Sequence, residues 1–171
     1  MINKQLTGTS IESLIDMLAS KKGMVRKKAR ESLVAMGRPA VPSLTKALMN
    51  ASSDRVRWEA AKTLGAINDP RAIPSLVKVL EDSDHGVVWL AAEALSEFKK
   101  AAWPSLLRRL IKIEPDSVIL RQGAHHVLRN QKEVGYNDLL ATLMEALESN
   151  TGPEATKMAA YDILKRMKAT L

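Results

Sequence analysis

The side chains that most often bind metals or transfer protons are scarce in this chain. Its 171 residues include three histidines and no cysteine, so a thiolate zinc site, a disulfide and a cysteine nucleophile are all excluded. His125 and His126 are adjacent, and neighbouring side chains on a helix point about 100° apart, which disfavours a shared metal ion. The sequence also shows no glycine-rich phosphate loop and no nucleophile with an evident base. We therefore predict no catalytic residue, no metal and no cofactor, and favour a non-catalytic protein over an enzyme.

Two tryptophans have the spacing of a binding surface. The stretches VRWEAAKTLG and VVWLAAEALS place Trp58 and Trp89 at equivalent positions 31 residues apart, on the side of a helix opposite its apolar residues. Exposed tryptophan is enriched at binding hot spots, so we predict that both residues contact a partner, with their rings side by side as one apolar strip. The alternative is that each indole packs over the aliphatic part of Lys62 or Glu93 and shields a seam between repeats.

The tryptophans belong to a repeat of helical hairpins. A second pattern recurs as AVPSLTKAL, AIPSLVKVL and AWPSLLRRL, with the apolar spacing of an amphipathic helix and a proline in its first turn. Trp103, in the last of these, takes an inward position and is expected in the core. Aspartates before three of the second helices are expected to cap them: Asp54, Asp84 and Asp116. An alanine followed four residues later by a leucine recurs five times, at Ala29 and Leu33, Ala60 and Leu64, Ala91 and Leu95, Ala124 and Leu128, and Ala160 and Leu164.

This periodicity predicts an all-α fold, a solenoid of five helical hairpins with about ten helices. The length suits one domain with a substantial core, spanning residues 1–171. The repeats are expected at approximately 10–38, 39–69, 70–100, 101–134 and 135–171.

A pattern typical of one repeat family runs through the second and third units: Val56, Arg57, Ala60, Ala61, Leu64, Gly65, Ile67, Asp69, Pro70, Ala72, Ile73, Pro74 and Leu76. Over about residues 10–168, and most strongly over 25–112, the chain resembles the HEAT-repeat family, specifically the short repeats found in phycobilin lyase subunits. The resemblance implies a right-handed superhelix whose second helices lie on the inner, concave side. It also implies that Arg26, Arg57 and Arg121, which share one repeat position, join successive turns by polar contacts, with an interruption at Val88. A role as accessory subunit of a tetrapyrrole chromophore lyase is an alternative that the resemblance alone suggests.

The exposed side of the second helices is the predicted partner-binding face. We interpret the chain as a scaffold that binds a protein partner there, such as a helix or extended segment with apolar side chains and mixed charge. The rows of exposed residues are expected to continue into the fifth unit as Met158, Asp162 and Arg166. The predicted partner-binding residues are Lys27, Trp58, Lys62, Trp89, Glu93, Glu97, Gln122 and His126.

The net charge of +7 raises nucleic acid as an alternative partner. The predicted concave rows carry one more acidic than basic residue, which disfavours a phosphate track. A function like that of the HEAT-like DNA glycosylases therefore stays an alternative, with weak and salt-dependent binding expected. The basic residues outside the rows form two separate clusters, Lys21, Lys22, Lys28 and Arg30 in one, and Arg108, Arg109 and Lys112 in the other.

The remaining expectations concern location and assembly. No uncharged run approaches the roughly 18 residues that a membrane span needs. The first residues lack the apolar core of a secretory signal. We expect a cytoplasmic protein, without a membrane partner and monomeric.

Overall fold

The computed structural model describes residues 10–112, 117–149 and 153–169, and these form ten α-helices and no β-strand. Short 3₁₀ turns lead into three of the helices, and a fourth turn follows the fifth helix. The predicted all-α class and the approximate number of helices are confirmed. The helices are α1 (Ile11–Met17), α2 (Gly23–Met36), α3 (Val41–Asn50), α4 (Asp54–Ile67), α5 (Ile73–Lys78), α6 (His85–Glu97), α7 (Trp103–Ile111), α8 (Val118–Leu128), α9 (Asn137–Glu148) and α10 (Pro153–Ala169).

Prolines mark the beginnings of three helices, as the repeated pattern predicts. Pro42, Pro74 and Pro104 lie within the first two positions of α3, α5 and α7. The first amides of a helix have no intrahelical acceptor, so a proline loses little there. The second pattern of each unit therefore folds as a helix that starts where expected.

The predicted aspartate caps hold in one of two described cases. Asp84 caps α6 by accepting a hydrogen bond from the Val87 amide at 3.0 Å. The expectation for Asp54 is wrong, because this residue lies inside the first turn of α4, whose N-cap is Ser53. From there its Oδ1 accepts a hydrogen bond from the Arg55 amide at 2.7 Å, near the positive end of the helix, but the residue does not take the capping position. Asp116 lies outside the described residues.

The first eight helices form two layers. In the inner layer α2, α4, α6 and α8 pack side by side, while α1, α3, α5 and α7 form the outer layer. Ala60, Leu64 and Leu95 of the repeated pattern are fully buried between them. A Cβ atom on Gly65 would lie only 2.8 Å from the Ala94 Cβ, so the glycine lets α4 and α6 approach closely.

Trp103 lies in the core, as predicted. Its side chain is 1% exposed at the start of α7. The ring of Tyr136 packs edge-on against it, with 5.8 Å between ring centroids. This contact fixes the chain between α8 and α9 to the beginning of α7, and Lys100 strengthens it by bonding Glu133 at 2.9 Å.

The fifth hairpin departs from the expected stacking. Instead of continuing the two layers, α9 packs along the inner helix α8, and α10 packs along the outer helix α7. The buried face of α10 carries Ala159 and Ala160, small residues that allow a close approach to α7. The prediction that Met158, Asp162 and Arg166 extend the inner rows is therefore wrong, because α10 lies in the other layer.

Candidate partner-binding face

The inner face is defined here as the exposed sides of α2, α4, α6 and α8. Lys27 and Glu31 form an i,i+4 ion pair on α2 with 3.8 Å between charged atoms. Gln122 is exposed on α8. The remaining predicted residues cluster around the two tryptophans, on the neighbouring helices α4, α6 and α8.

Trp58 bridges the seam between α4 and α6. Its ring is 40% exposed, and its Nε1–H donates a 2.6 Å hydrogen bond to Oδ1 of Asp84. The ring lies so close over Gly86 that a Cβ atom there would be 2.6 Å from Cζ2. The bond from Trp58, followed by that from the Val87 amide, holds the pKa of Asp84 below its ordinary value. The sequence did not lead us to predict Asp84 and Gly86 as the partners of Trp58. A glycine two residues after an aspartate that caps a helix was nevertheless a signal of a close contact at this place.

Trp89 bridges the next seam, between α6 and α8. Its ring is 53% exposed and lies 4.0 Å, centroid to centroid, from the ring of His126. The guanidinium of Arg129 lies 5.7 Å from the centre of the same indole, within the range of a cation–π contact. Glu93 joins the cluster through a 2.5 Å hydrogen bond with Nε2 of His126.

His126 does not stand on an open row as expected. Only 8% of its side chain is exposed, because Trp89 covers one side of its ring. Glu93 satisfies the ring nitrogen that would otherwise be buried without a partner. His125 is partly buried, and its Nε2 lies 2.7 Å from Oε1 of Glu148 on α9.

The two indoles lean in different directions. Trp58 reaches the first turn of α6, where Gly86 lies, whereas Trp89 reaches His126 and Arg129 at the end of α8. We expected one strip with the two rings side by side. Instead, each ring covers the seam on its own side of α6, and a groove lies further along each seam.

The two grooves share acidic residues of α6. The α4–α6 groove has a volume of 470 Å³ and is lined by Lys62, Gly65, Ala66, Leu90, Glu93 and Glu97, among others. The α6–α8 groove has a volume of 440 Å³, and its lining includes Glu93, Glu97, Lys99, His126, Arg129 and Lys132. The predicted residues Lys62, Glu93 and Glu97 are thus brought together in the α4–α6 groove, whereas Lys27 and Gln122 lie outside both grooves.

The three arginines at the shared repeat position make contacts between successive units. Arg57 donates two hydrogen bonds to Asp82, at 2.8 and 2.9 Å. Arg26 donates to Glu59 at 2.9 Å, and Arg121 donates to the Ser149 carbonyl at 3.2 Å. The equivalent residue in the third unit, Val88, is buried and carries no charge to continue the series.

Two members of the basic clusters are engaged within the protein. Arg30 bonds Glu59 at 2.5 Å, and Arg109 bonds Glu81 through its Nε at 2.8 Å. These pairings reduce the positive charge that the two clusters can offer to an anion. Among the described residues no group of histidines and acids converges as a set of metal ligands would. No helix in the described part of the chain is long and apolar enough to cross a membrane.

The fold and the repeated positions define the class of this protein. The family model of HEAT repeats matches residues 41–129, more than half of the chain, so the chain belongs to the HEAT-repeat family. Among solved structures it is similar to a chain of the complex of CpcE and CpcF of phycocyanin lyase from Nostoc sp. PCC7120. That similarity has 23% sequence identity and a TM-score of 0.60, over 88% of this chain and 95% of the other. A search of curated protein sequences gave no match.

Proposed function

We propose that this chain is a non-catalytic scaffold that binds a protein partner on its inner face, with Trp58 and Trp89 as apolar anchors. The observation that carries the proposal is that both indoles are about half exposed on neighbouring helices while internal contacts hold them in place. A side chain that is already ordered loses little conformational freedom on binding, so its exposed surface contributes more to affinity. Lys62, Glu93 and Glu97 border these anchors and orient the partner.

The packing alternative accounts for only part of each tryptophan. The covered side of Trp58 lies on Gly86, and the covered side of Trp89 lies on His126. These contacts explain why each ring is held, but they leave 40% and 53% of the two residues in water. Large apolar surfaces of this kind, bordered by charged residues, are typical of interaction sites.

Nucleic acid is a less favourable partner for the same face. Arg129 lies 5.7 Å from the centre of the Trp89 indole, and Lys62 lies one turn after Trp58 on α4. The groove that each of them lines also contains Glu93 and Glu97. Phosphate binding depends on several unopposed cations along one track. We therefore expect at most weak and salt-dependent nucleic-acid binding, through the exposed lysines outside the inner face.

A capture experiment with matched aromatic variants tests the proposal. The wild-type chain, Trp89→Ala and Tyr161→Ala are immobilised and exposed to a cell extract. The protein and the nucleic acid that each one retains are then quantified separately. Tyr161 is a suitable control because it is 58% exposed on α10, in the outer layer. We expect Trp89→Ala to lose a specific protein that Tyr161→Ala retains, a loss of about tenfold or more for a hot-spot tryptophan. Capture that is equal in both variants, or limited to salt-sensitive nucleic acid, would contradict the scaffold proposal.

A second candidate is a role within a lyase complex. It is favoured by the similarity to the phycocyanin lyase chain, which extends over nearly all of that chain. The test is to incubate this chain with phycocyanin and follow the visible absorption and the covalently attached chromophore on a denaturing gel. A change in attached chromophore that depends on this chain would support the lyase role, and an unchanged amount would leave the scaffold as the better account.

A further inference from the structure

We propose that the α4–α6 groove accepts an arginine or lysine side chain of the partner, beside an apolar contact with Trp58. This inference rests on the proposed function, because it concerns the chemistry of the partner at the same face. The occupant is therefore a segment that carries a cation next to a large apolar residue. The choice follows from the shape of the groove, from its charge, and from the contrast with the groove on the other side of α6.

The shape of the groove suits a long side chain with an apolar stem. Gly65, Ala66 and Ala94 line it with small residues, and the close approach of α4 and α6 at Gly65 brings its two sides together. Trp58 spans the same two helices at the beginning of α6. Lys62, one turn after Trp58 on α4, lines the groove, which continues toward the ends of both helices. Lysine and arginine commonly lay their methylene groups along such apolar surfaces while the charged end stays in a polar environment.

The charged end of that side chain would meet acidic groups. Glu93 and Glu97 lie one turn apart on α6, and Glu97 is its last residue. Helix ends of this polarity favour cations, which adds to the attraction of the two carboxylates. Within the described residues, Glu97 has no ion pair, so its carboxylate is available to a partner. Lys62, on the opposite wall, is the one basic residue that lines this groove.

The α6–α8 groove has the opposite preference. It contains the same two glutamates, but Lys99, Arg129 and Lys132 line it as well. Oε1 of Glu93 is already hydrogen-bonded to Nε2 of His126 in this cluster. The same oxygen lies 3.9 Å from Nη2 of Arg129. A cationic side chain would be repelled there, so charge complementarity directs it to the α4–α6 groove.

Selection of displayed peptides tests the inference without knowledge of the natural partner. A library of randomised 12-residue peptides is selected against the whole chain, and individual synthetic peptides are then titrated by fluorescence anisotropy. The variants are Glu97→Gln, the control Glu145→Gln, and Trp58→Ala. Glu145 is an exposed glutamate on α9, outside both grooves. Melting temperatures verify that each variant is folded.

We expect selected peptides to contain arginine or lysine beside a large apolar residue. Their Kd should rise about fivefold on Glu97→Gln, as expected for a partly exposed ion pair, and stay unchanged on Glu145→Gln. Replacing the peptide's cation with glutamine should raise the Kd by a similar factor for the wild-type chain but hardly at all for Glu97→Gln, because the contact is already lost.

The contrary outcomes separate this inference from the proposed function. Peptides that lose affinity on Trp58→Ala but bind Glu97→Gln and wild type equally would overturn the cation site and leave the scaffold proposal standing. Peptides that are indifferent to Trp58→Ala, or the absence of any selected peptide, would count against the scaffold and against the inference with it.

Discussion

Replacing Gly86 with alanine tests whether Trp58 is held across the seam between α4 and α6. A Cβ atom at this position would lie 2.6, 2.7 and 2.9 Å from three atoms of the indole, so the ring has to move. Its displacement breaks the bond to Asp84, at about 1 kcal/mol, and exposes roughly 40 Å² of apolar surface, at about 1 kcal/mol more. Alanine regains up to about 0.5 kcal/mol over glycine here, less than in a helix interior, because Gly86 is the second residue of α6. Gly86→Ala should therefore destabilise the wild-type chain by about 1.5 kcal/mol.

The same substitution should have the opposite sign in a chain that already carries Trp58→Ala. With no ring to displace, only the helix preference for alanine is left, and the fold should gain up to about 0.5 kcal/mol at this position in the first turn of α6. The four chains to compare are the wild type, Gly86→Ala, Trp58→Ala and the double variant. Urea unfolding followed by far-ultraviolet circular dichroism gives their free energies of unfolding without relying on tryptophan emission. An equal change in unfolding free energy on Gly86→Ala in the two backgrounds would refute the reasoning. The cost of a side chain at position 86 would then be independent of the Trp58 ring.

Three further predictions concern the fold and its ionisable groups. Leu64→Ala should cost about 2–5 kcal/mol in urea unfolding, since this side chain is fully buried between layers, and a change within experimental error would contradict its core position. The pKa of Asp69 is lowered from 3.8 to about 2 by its bonds with Arg71, and that of Asp84 is also lowered. Both carboxylates therefore stabilise the folded chain above pH 4, and this contribution is lost as the pH falls toward 2. Trp58→Phe removes the bond to Asp84 and should weaken the dependence of the unfolding free energy on pH. An unchanged pH profile in this variant would argue against that bond. Finally, we propose that residues 1–171 form one domain, so near- and far-ultraviolet dichroism should report a single coincident unfolding transition, whereas two separated transitions would indicate two units.

The hairpin architecture could be predicted because the same few residues recur at the same places. Small alanines at the crossing points and leucines one turn later, such as Ala60 and Leu64, specify which side of each second helix is buried. Prolines specify where the outer helices begin, because only the first turn tolerates them. The outward direction of Trp58 and Trp89 follows from helix geometry alone, and both residues are exposed in the structure.

The details of the inner face depend on contacts that one repeat does not contain. Whether an indole leans toward the beginning or the end of the next helix is decided by its neighbour, Gly86 for Trp58 and His126 for Trp89. Helix periodicity places His126 on an outward row, but the adjacent repeat covers it with Trp89. Likewise, the sequence of α10 predicts a helix without specifying whether it packs on α7 or on α8.

The exchanged positions of α9 and α10 affect how this array could change in length. Between regular units, each surface exposed at an end resembles the surface that the next unit covers, so duplication of a hairpin can lengthen an array without new contacts. After α8 this equivalence is lost, because α7 packs with α10 and α8 with α9 in a closed four-helix arrangement. In a regular array, the first helix of an added hairpin packs against the first helix of the preceding one. In a hairpin copied after α10, the first helix would instead pack against α10, which is the second helix of its own hairpin. Duplication or deletion of a unit should therefore be tolerated among the first three hairpins and resisted in the last two, which would be gained or lost only together.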